Sequence, residues 1–427
     1  MRAAETQDQR GRPVRFSGEL RQAWREHSGP GLEHPVVPKL IDAGIGPIRG
    51  AMPTGMDGAA FMSNLPPEGS YVMDSGLFFE NTERNDVPQQ SVPYPGFGAA
   101  PLDLRIANVG VLSGQQIVVE GILKTEKGTG AVTPTFRWPW GLLSGSAVNA
   151  NGQTSLIAPT GLDKRARHQR IYRNPIDPIT VASSIDERGN PTLAAIADGE
   201  HPFFLIYEIP IVHDWFTLTG SFFAQSDQIY LALHLTFPAL SELFTLTGTA
   251  KAELVGTPTI RVTNTFFDVP FANTQKGRKV LVPDLQWLHG FIASDLAFAN
   301  QGEVPVPLIR TSGELLAFYS YIRNGASAVI KPGSLSSYRM EYGANRIPRK
   351  YEPTQHLLYK NANDYNGLIL PEVGYTVLDF EADNPSRDLV FPKGVTELKV
   401  VPVIPNSIEV KANSAVHFAE EALFAGR

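Results

Sequence analysis

The sequence predicts an all-β protein with two similar sandwich domains in tandem behind an extended N-terminal arm. Three observations favour this fold class. Short apolar runs, bounded by turn residues, alternate with polar residues from position 102 onward. The chain has 38 glycines and 34 prolines, about 17% of its residues against a usual ~12%. The two halves of the strand-rich region are also similar to each other in sequence. With 42% hydrophobic residues, the chain has enough apolar surface to fold, which excludes wholesale disorder.

The first 100 residues are predicted to form an extended arm that carries one short helix. Glycine, proline and methionine dominate positions 44–69, and closely spaced prolines exclude long regular elements there. The helix is expected at about residues 17–28 because Ser17 is a suitable N-cap and a Gly-Pro pair follows. Such a helix is amphipathic, because its apolar and basic residues lie on adjacent sides, namely Leu20, Trp24, Arg21 and Arg25.

Strand-like runs continue from residue 102 to the end of the chain. The clearest run covers positions 229–237, where Ile, three Leu and Phe alternate with Tyr, Ala, His and Thr. Strict alternation of this kind is typical of a strand with one face in a core. The other main runs fall at 203–212, 252–255, 259–267, 279–282, 314–322, 368–378 and 397–403. Their spacing favours a sandwich or barrel.

The two halves of the strand-rich region are similar to each other in sequence. Residues 230–235 (YLALHL) reappear as 375–380 (YTVLDF), and 259–262 (TIRV) reappear as 407–410 (SIEV), at an offset of about 145 residues. Solenoid repeats recur every ~20–50 residues, so an offset of this length indicates repeated domains. We therefore predict an arm at 1–100, a first sandwich at 101–272 and a second at 273–427.

Composition and charge exclude several classes of protein. The formal net charge is −6, so the chain as a whole has no basic footprint for wrapping nucleic acid. The absence of cysteine excludes disulfides, thiolate catalysis and cysteine-ligated metal sites. The first residues are polar and arginine-rich, and the longest apolar stretch, 202–212, is about half the ~20 residues that a spanning helix needs. We expect a soluble chain that is made and kept in the cytosol of its producer.

One dense basic cluster is a candidate contact patch. It contains five cationic residues within ten positions: Lys164, Arg165, Arg167, Arg170 and Arg173. Such a cluster is compatible with nucleic-acid or lipid-phosphate binding. A solvated loop or a salt contact between subunits is the alternative interpretation.

The residues give little support for catalysis or metal binding. Nine histidines are scattered without metal-ligand spacing, so no metal site and no cofactor are predicted. The acid pairs Glu208/Asp214 and Glu341/Asp364 have the residue types that a glycosidase uses, but acids beside strands are usually loop or edge residues. The sequence contains neither a glycine-rich phosphate loop nor a G-x-S-x-G motif.

Two aromatic turns have alternative interpretations. Trp138-Pro139-Trp140 and the segment from Tyr94 to Phe97 place aromatic rings on stiff turns. A sugar-binding platform uses rings in this way. The alternative is that the rings anchor the loops against the end of the sandwich or a neighbouring subunit, which we favour because aromatic residues are common in buried interfaces.

Several of these segments, in order, resemble the tectivirus-type double jelly-roll major capsid proteins of tailless, internal-membrane-containing bacteriophages. The resemblance covers about a third of the chain and depends on order and spacing, since no single segment is a signature motif. The arm before residue 102 is longer than the family's usual N-terminal segment. The segments that carry the resemblance are 107–119, 203–212, 216–221, 229–237, 280–284 and 400–418.

The resemblance implies a fold and a function. It implies two tandem jelly rolls with an N-terminal arm, and trimers of pseudo-hexagonal outline that tile an icosahedral shell over an internal membrane. The family's N-terminal helix lies inside the shell near the membrane, so Leu20, Arg21, Trp24 and Arg25 are candidate membrane or inner-shell contacts. The expected partners are other copies of the chain, membrane lipids and penton or minor capsid proteins, without sequence-specific nucleic acid.

The resemblance also implies a location and leaves alternatives open. The expected location is the virion capsid, assembled in the cytoplasm of a bacterial host, and no enzymatic activity is expected. One alternative is a β-sandwich carbohydrate-binding protein or glycosidase that binds glycans through the loop of Trp138 and Trp140. Another is a minor virion protein of a vertex or spike.

Overall fold

The described part of the chain consists mainly of β-strands. The computed structural model describes residues 71–73, 78–79, 82–89, 91–151, 154–173, 181–186, 188–215, 217–225, 230–269, 271–274, 277–282, 287–308, 313–342, 346–381 and 398–425. The predicted arm helix, with Leu20, Arg21, Trp24 and Arg25, lies outside the described residues.

Thirteen strands and two helices precede residue 270 in the described ranges. The strands are β1 (Tyr71–Met73), β2 (Arg84–Pro88), β3 (Val92–Pro93), β4 (Leu102–Arg105), β5 (Val111–Glu126), β6 (Val132–Pro134), β7 (Gly145–Ala150), β8 (Thr154–Ala158), β9 (Gly199–Ile209), β10 (Phe222–Phe223), β11 (Leu231–Thr236), β12 (Phe244–Leu246) and β13 (Lys251–Phe267). The helices are α1 (Gly161–Tyr172) and the short α2 (Leu240–Leu243), and a 3₁₀ turn covers Trp140–Leu142.

Twelve strands and one helix follow in the described part of the second half. The strands are β14 (Phe271–Thr274), β15 (Gly277–Val282), β16 (Trp287–Ala297), β17 (Gly302–Glu303), β18 (Val306–Pro307), β19 (Glu314–Asn324), β20 (Ala328–Ile330), β21 (Ser337–Tyr342), β22 (Arg346–Tyr351), β23 (Thr376–Asp379), β24 (Leu398–Ile404) and β25 (Ala415–Ala425). The helix is α3 (Gln355–Asp364), and a second 3₁₀ turn covers Pro332–Ser334.

The first sandwich packs two sheets around one core. In one sheet β13 lies between β5 and the pair β2 and β3, while β9 and β10 pair with the far side of β5. The other sheet has the order β4-β11-β7-β8. Apolar residues from both sheets meet in the core, among them Ile117 and Val119 of β5, Leu233 and Leu235 of β11, and Val148 of β7. Burying these alternating side chains is what stabilises the pairing of the sheets.

The second sandwich repeats this arrangement. One sheet has the order β16-β25-β19-β23, with β20 also paired to β19, and the other has the order β17-β24-β21-β22, with β18 also paired to β24. Its core joins residues of both sheets, including Phe318 of β19, Phe418 of β25, Met340 of β21 and Val400 of β24.

The two sandwiches have the same topology. Each has eight principal strands, which are β2, β4, β5, β7, β8, β9, β11 and β13 in the first and β16, β17, β19, β21, β22, β23, β24 and β25 in the second. If these are numbered 1 to 8 in chain order, the two sheets of each sandwich have the orders 1-8-3-6 and 2-7-4-5. In each, a helix connects the fifth strand to the sixth: α1 joins β8 to β9, and α3 joins β22 to β23. Eight strands folded as two packed Greek-key sheets form a jelly roll. The prediction of an all-β protein with two tandem jelly rolls is therefore confirmed.

The residue-level alignment of the repeat was wrong, although the repeat of domains exists. The sequence similarity matched β11 with β23, but β11 is the seventh strand of its sandwich and β23 is the sixth. The topological counterpart of β11 is β24. Half-buried strands all share the same alternation, so an alternating pattern does not distinguish one strand from its neighbour.

The strand pairing also bears on the boundaries of the domains. β2 and β3 pair with β13 inside the first sandwich, although they fall in the segment predicted as arm. We therefore propose that the first jelly roll begins at β2 and not at residue 101. The predicted boundary at 272/273 lies at a hairpin of β14 and β15, to which β1 adds a parallel strand.

The two sandwiches share a sheet. β8 of the first pairs in parallel with β16 of the second, with Ile157 opposite Phe291 and Ala158 opposite Ile292. This pairing makes one nine-stranded sheet from strands of both sandwiches. The core of the first sandwich extends across the join to residues of the second, such as Tyr319 and Tyr375. None of the helices in the described ranges is long and apolar enough to cross a membrane.

Candidate functional site at the junction of the two jelly rolls

Helix α1 lies where the two jelly rolls meet, and its first turn is fixed by its own residues. The Thr160 hydroxyl accepts a hydrogen bond from the backbone N–H of Asp163, and the Asp163 carboxylate accepts one from the backbone N–H of Thr160 at 2.8 Å. This reciprocal arrangement is a capping box, which satisfies N–H groups that would otherwise lack partners. The helix ends at Tyr172, and its C-cap residue Arg173 has a left-handed conformation with φ of 52°.

Arg170 ties α1 to the second jelly roll. Its guanidinium is 3% exposed and makes a two-pronged contact with Asp379, in which Nε and Nη2 lie 2.7 and 3.0 Å from the carboxylate oxygens. It also donates to Glu421 at 2.9 Å and to Glu381 at 2.6 Å. Arg167 donates to the other oxygen of Glu421 at 2.6 Å. Strand β25 and the end of β23 are thus joined to α1 by buried ion pairs.

Opposing effects set the charge of Glu421, which is completely buried. Burial by itself raises the pKa of a carboxyl group because it disfavours the charged form. Here the guanidinium groups of Arg167 and Arg170, together with the contact to His289, outweigh burial and hold the pKa of Glu421 well below its usual value. The carboxylate therefore remains charged and bound to its partners.

A second polar chain runs through Asp163 and His417. Asp163 is fully buried and accepts hydrogen bonds from the Tyr375 hydroxyl at 2.6 Å and from His417 Nε2 at 3.0 Å. His417 Nδ1 donates to Asp295 at 2.6 Å. Burial alone lowers the pKa of His417, but Tyr321, Asp163 and Asp295 outweigh it and raise that pKa well above the usual value. This chain again connects α1 with β25.

The opposite side of α1 packs on the first jelly roll. Lys164 is buried, with Nζ 5.2 Å from the ring centroid of Tyr207, and Nζ has no hydrogen-bond partner among the residues that the structure describes. Burial lowers the pKa of Lys164 to about 7. The Arg165 guanidinium lies over the Trp140 ring at 5.3 Å and donates to the carbonyl of Arg188.

The basic cluster is therefore not an open contact patch, and this prediction requires correction. Lys164, Arg165 and Arg170 are buried, Arg167 is half-buried, and only Arg173 of the five is exposed. Residues 164–172 are helical and do not form a solvated loop. Arg167 and Arg170 bind acids within the molecule, because the charge of a buried guanidinium must be compensated locally. The acids follow more than 200 positions later in the sequence, so the sequence pattern did not reveal them.

The aromatic turn of Trp138 and Trp140 is an internal anchor. Both side chains are 1% exposed, and their indole N–H groups donate at 2.8 Å to the carbonyls of Ser183 and Gly189. Trp138 also packs against Phe203 in an edge-to-face arrangement. Rings that are buried and bonded in this way are not available to stack on a sugar, so the anchoring interpretation is the correct one.

The acid pairs lie in ordinary structural positions. Glu341, on β21, pairs with Arg339 at 2.5 Å and with Lys399 at 3.3 Å, and the hydrogen bond from Arg339 is the main cause of its lowered pKa. Asp364 ends α3. Glu208 is exposed on β9, and Asp214 accepts a hydrogen bond from Thr217 in the following turn.

Sequence reasoning missed one group of side chains at the junction. His213, His289 and Glu421 come together there, although they are far apart in the chain. The His213 and His289 rings have centroids 5.8 Å apart. His213 Nε2 lies 2.9 Å from Glu381, and His289 Nε2 lies 3.0 Å from Glu421. A search for closely spaced ligands in the sequence finds sites whose ligands lie on one element. These three residues lie on three different segments of the chain and escape such a search.

Comparison with solved structures identifies the architecture. No protein-family model matches the chain, and no curated protein sequence is significantly similar to it. The crystal structure of the STIV MCP aligns with a TM-score of 0.56 at 14% identity, over 81% of this chain and 97% of that one. The atomic structure of Sulfolobus Turreted Icosahedral Virus contains a chain that aligns with a TM-score of 0.55 at 14% identity, over 81% of this chain and 91% of that one. The chain therefore has the double jelly-roll fold of the STIV major capsid protein.

Proposed function

We propose that this chain is a viral major capsid protein whose trimers are the tiles of an icosahedral shell. The observation that carries the proposal is the presence of two sandwiches of one topology in a single chain, sharing a nine-stranded sheet. Three such chains around an axis present six similar sandwiches. A trimer of this kind has a pseudo-hexagonal outline, and hexagonal outlines fill a surface without gaps.

The junction supports this role because it fixes how the two sandwiches are oriented. The shared sheet and the buried ion pairs of Arg167 and Arg170 leave little freedom between them. A tile needs this rigidity, since small changes of angle within each subunit would accumulate over a shell. The low proportion of charged residues, 19% against a usual ~25%, is consistent with surfaces that other subunits cover.

The structural relatives carry names that agree with the proposal. One is a virus described as icosahedral, and the other is its MCP. We propose for this chain the same broad role, with a virion location, assembly in the host cytoplasm, neighbouring trimers and penton or minor capsid proteins as partners, and no catalytic activity. A minor vertex or spike protein would differ in its copy number per particle.

The oligomeric state tests the proposal. Three copies of the 46.6 kDa chain give a native mass of about 140 kDa. We expect this mass in sedimentation equilibrium or light scattering, and we expect it to persist on dilution because obligate interfaces are large and apolar. A folded protein that remains at 46.6 kDa at micromolar concentration would contradict the proposal.

We further propose that the N-terminal arm faces an internal membrane. The support is the sequence of residues 17–28, in which Leu20 and Trp24 are suited to the lipid interface and Arg21 and Arg25 to lipid phosphates. In co-sedimentation with anionic vesicles at low salt, the Arg21→Glu/Arg25→Glu variant should bind several-fold less than the wild type. Unchanged binding would contradict the proposed lipid contact of Arg21 and Arg25, and it would leave the proposal of a capsid shell intact.

A further inference from the structure

Three side chains that can bind a metal meet at the junction of the jelly rolls. They are His213, which follows β9, His289 on β16 and Glu421 on β25, and one ligand atom from each lies within 4.8 Å of the others. His289 and Glu421 have no exposed surface, and the side chain of His213 is 10% exposed. The cluster is therefore enclosed and combines residues of both jelly rolls.

The hydrogen bonds of His289 leave one of its nitrogens in an unusual position. His289 Nδ1 lies 2.9 Å from the backbone carbonyl oxygen of Pro210. A carbonyl oxygen only accepts hydrogen bonds, so Nδ1 carries the proton. In the neutral ring, Nε2 then presents a lone pair to Glu421 Oε1 at 3.0 Å. Two acceptors at this distance repel each other unless a cation lies between or beside them. Arg167 Nε lies 2.6 Å from Glu421 Oε1 and offsets the charge of that oxygen, and a metal ion would in addition bind the lone pair of His289 Nε2.

His213 provides a second, independent indication of a ligand. Its Nε2 pairs with Glu381 Oε1 at 2.9 Å, whereas its buried Nδ1 has no hydrogen-bond partner within the described ranges. A buried nitrogen without a partner is costly. In most metal-binding histidines one ring nitrogen binds the metal and the other is hydrogen-bonded to a carboxylate or carbonyl group. In the part of the chain that the structure describes, the free Nδ1 and the carboxylate-bound Nε2 of His213 match this arrangement.

We propose that His213, His289 and Glu421 form a binding site for a divalent transition-metal ion, with Zn²⁺ as the best-suited ion. Two imidazoles and one carboxylate favour Zn²⁺ over Ca²⁺ or Mg²⁺, which prefer oxygen ligands. Three protein ligands with a water molecule complete a tetrahedral zinc ion.

The cluster can close on such an ion with small movements. Zinc bonds of about 2.0–2.2 Å place tetrahedral ligands roughly 3.4 Å apart. Separations of up to 4.8 Å would therefore shorten by about 1.4 Å at most, and the 3.0 Å between His289 Nε2 and Glu421 Oε1 would lengthen by about 0.4 Å. Glu421 also accepts hydrogen bonds from Arg167 and Arg170. Because these two positive charges oppose a cation, we expect weaker binding than in a closed structural zinc site.

The site would cross-link the two jelly rolls. His213 belongs to the first sandwich, and the other two ligands belong to the second. A metal ion that binds only the folded chain raises its stability by mass action. The ion would therefore reinforce the junction beyond the shared sheet and the ion pairs.

Metal content and thermal unfolding of the full-length protein test the site. After incubation with ZnCl₂ and removal of free ion, mass spectrometry should find about one zinc per chain. ZnCl₂ should raise the unfolding temperature of the EDTA-treated protein, and CaCl₂ should not. Co²⁺ in place of Zn²⁺ should give the visible absorption bands of a four- or five-coordinate site.

Matched histidine variants separate this site from non-specific binding. His213→Ala and His289→Gln should lose the bound zinc and the zinc-induced stabilisation. His234→Ala, which changes a histidine that is 32% exposed and paired with Asp103, should keep both. If the wild type takes up no more zinc than His213→Ala, or if zinc leaves its unfolding temperature unchanged, the proposal is overturned.

Discussion

At the scale of single residues, the junction is unusual in burying so many charged groups. Arg170, Glu421 and Asp163 have almost no exposed surface, and each has several charged or hydrogen-bonding partners. Burying a charge without such partners costs far more than a protein's net stability. Lys164 differs from these residues. Its amine lies over the Tyr207 ring, and the negative charge of Asp163 favours the charged form of the amine less than burial disfavours it.

The lowered pKa of Lys164 predicts a pH-dependent stability. Burial lowers the folded-state pKa to about 7, while the unfolded value is about 10.4. Between these values the unfolded chain binds more protons at this group, so stability rises with pH across the window. Lys164→Met removes the cost of burying the amine. We expect the variant to be more stable than the wild type by up to a few kcal/mol near pH 7, with a smaller difference at pH 10.

Urea unfolding at pH 7 and pH 10 measures this difference. Comparing variant with wild type at each pH cancels the titration of other groups that the two proteins share. Lys251→Met, at an exposed position, is the matched control and should change the stability little at either pH. A gain from Lys164→Met that is the same at both pH values would show that the amine does not titrate in this window.

At the scale of elements, α1 contacts the two jelly rolls through two different faces. Asp163, Arg167 and Arg170, spaced four and three residues apart, lie on one face and contact the second jelly roll. Lys164 and Arg165 lie on another face and pack on rings of the first jelly roll. The helix has no apolar stripe of the usual kind, so periodicity of hydrophobic residues did not predict it.

The ion pairs of α1 predict a large effect of one substitution. Arg170→Met leaves the carboxylates of Asp379 and Glu421 buried with fewer partners, and we expect a loss of about 3–5 kcal/mol in unfolding free energy. Arg261→Gln, which breaks an exposed pair with Glu120, should cost at most about 1 kcal/mol. Urea unfolding at one protein concentration compares the variants. Equal effects of the two substitutions would contradict a structural role for the buried pairs.

At the scale of the whole molecule, the shared sheet turns two sandwiches into one body. β8 and β16 are edge strands of their own sandwiches, and their parallel pairing at two residue positions covers part of both edges. Exposed edges are sites of unwanted association, so pairing them inside the chain leaves other surfaces for assembly. The resulting block has two similar halves, which is the geometric basis of the proposed trimeric tile.

The sequence by itself determined the all-β class and the presence of two tandem domains, because alternation of apolar residues and the placement of turn residues are local properties of the chain. It also favoured the anchoring interpretation of Trp138 and Trp140. Only the tertiary structure decided which strands correspond, that the basic cluster is internal, and that His213, His289 and Glu421 meet. The physical reason is that each of these depends on partners from distant strands. Arg170, for example, contacts Asp379 and Glu421, which lie more than 200 residues away in the sequence and are near it only in the folded arrangement of both sandwiches.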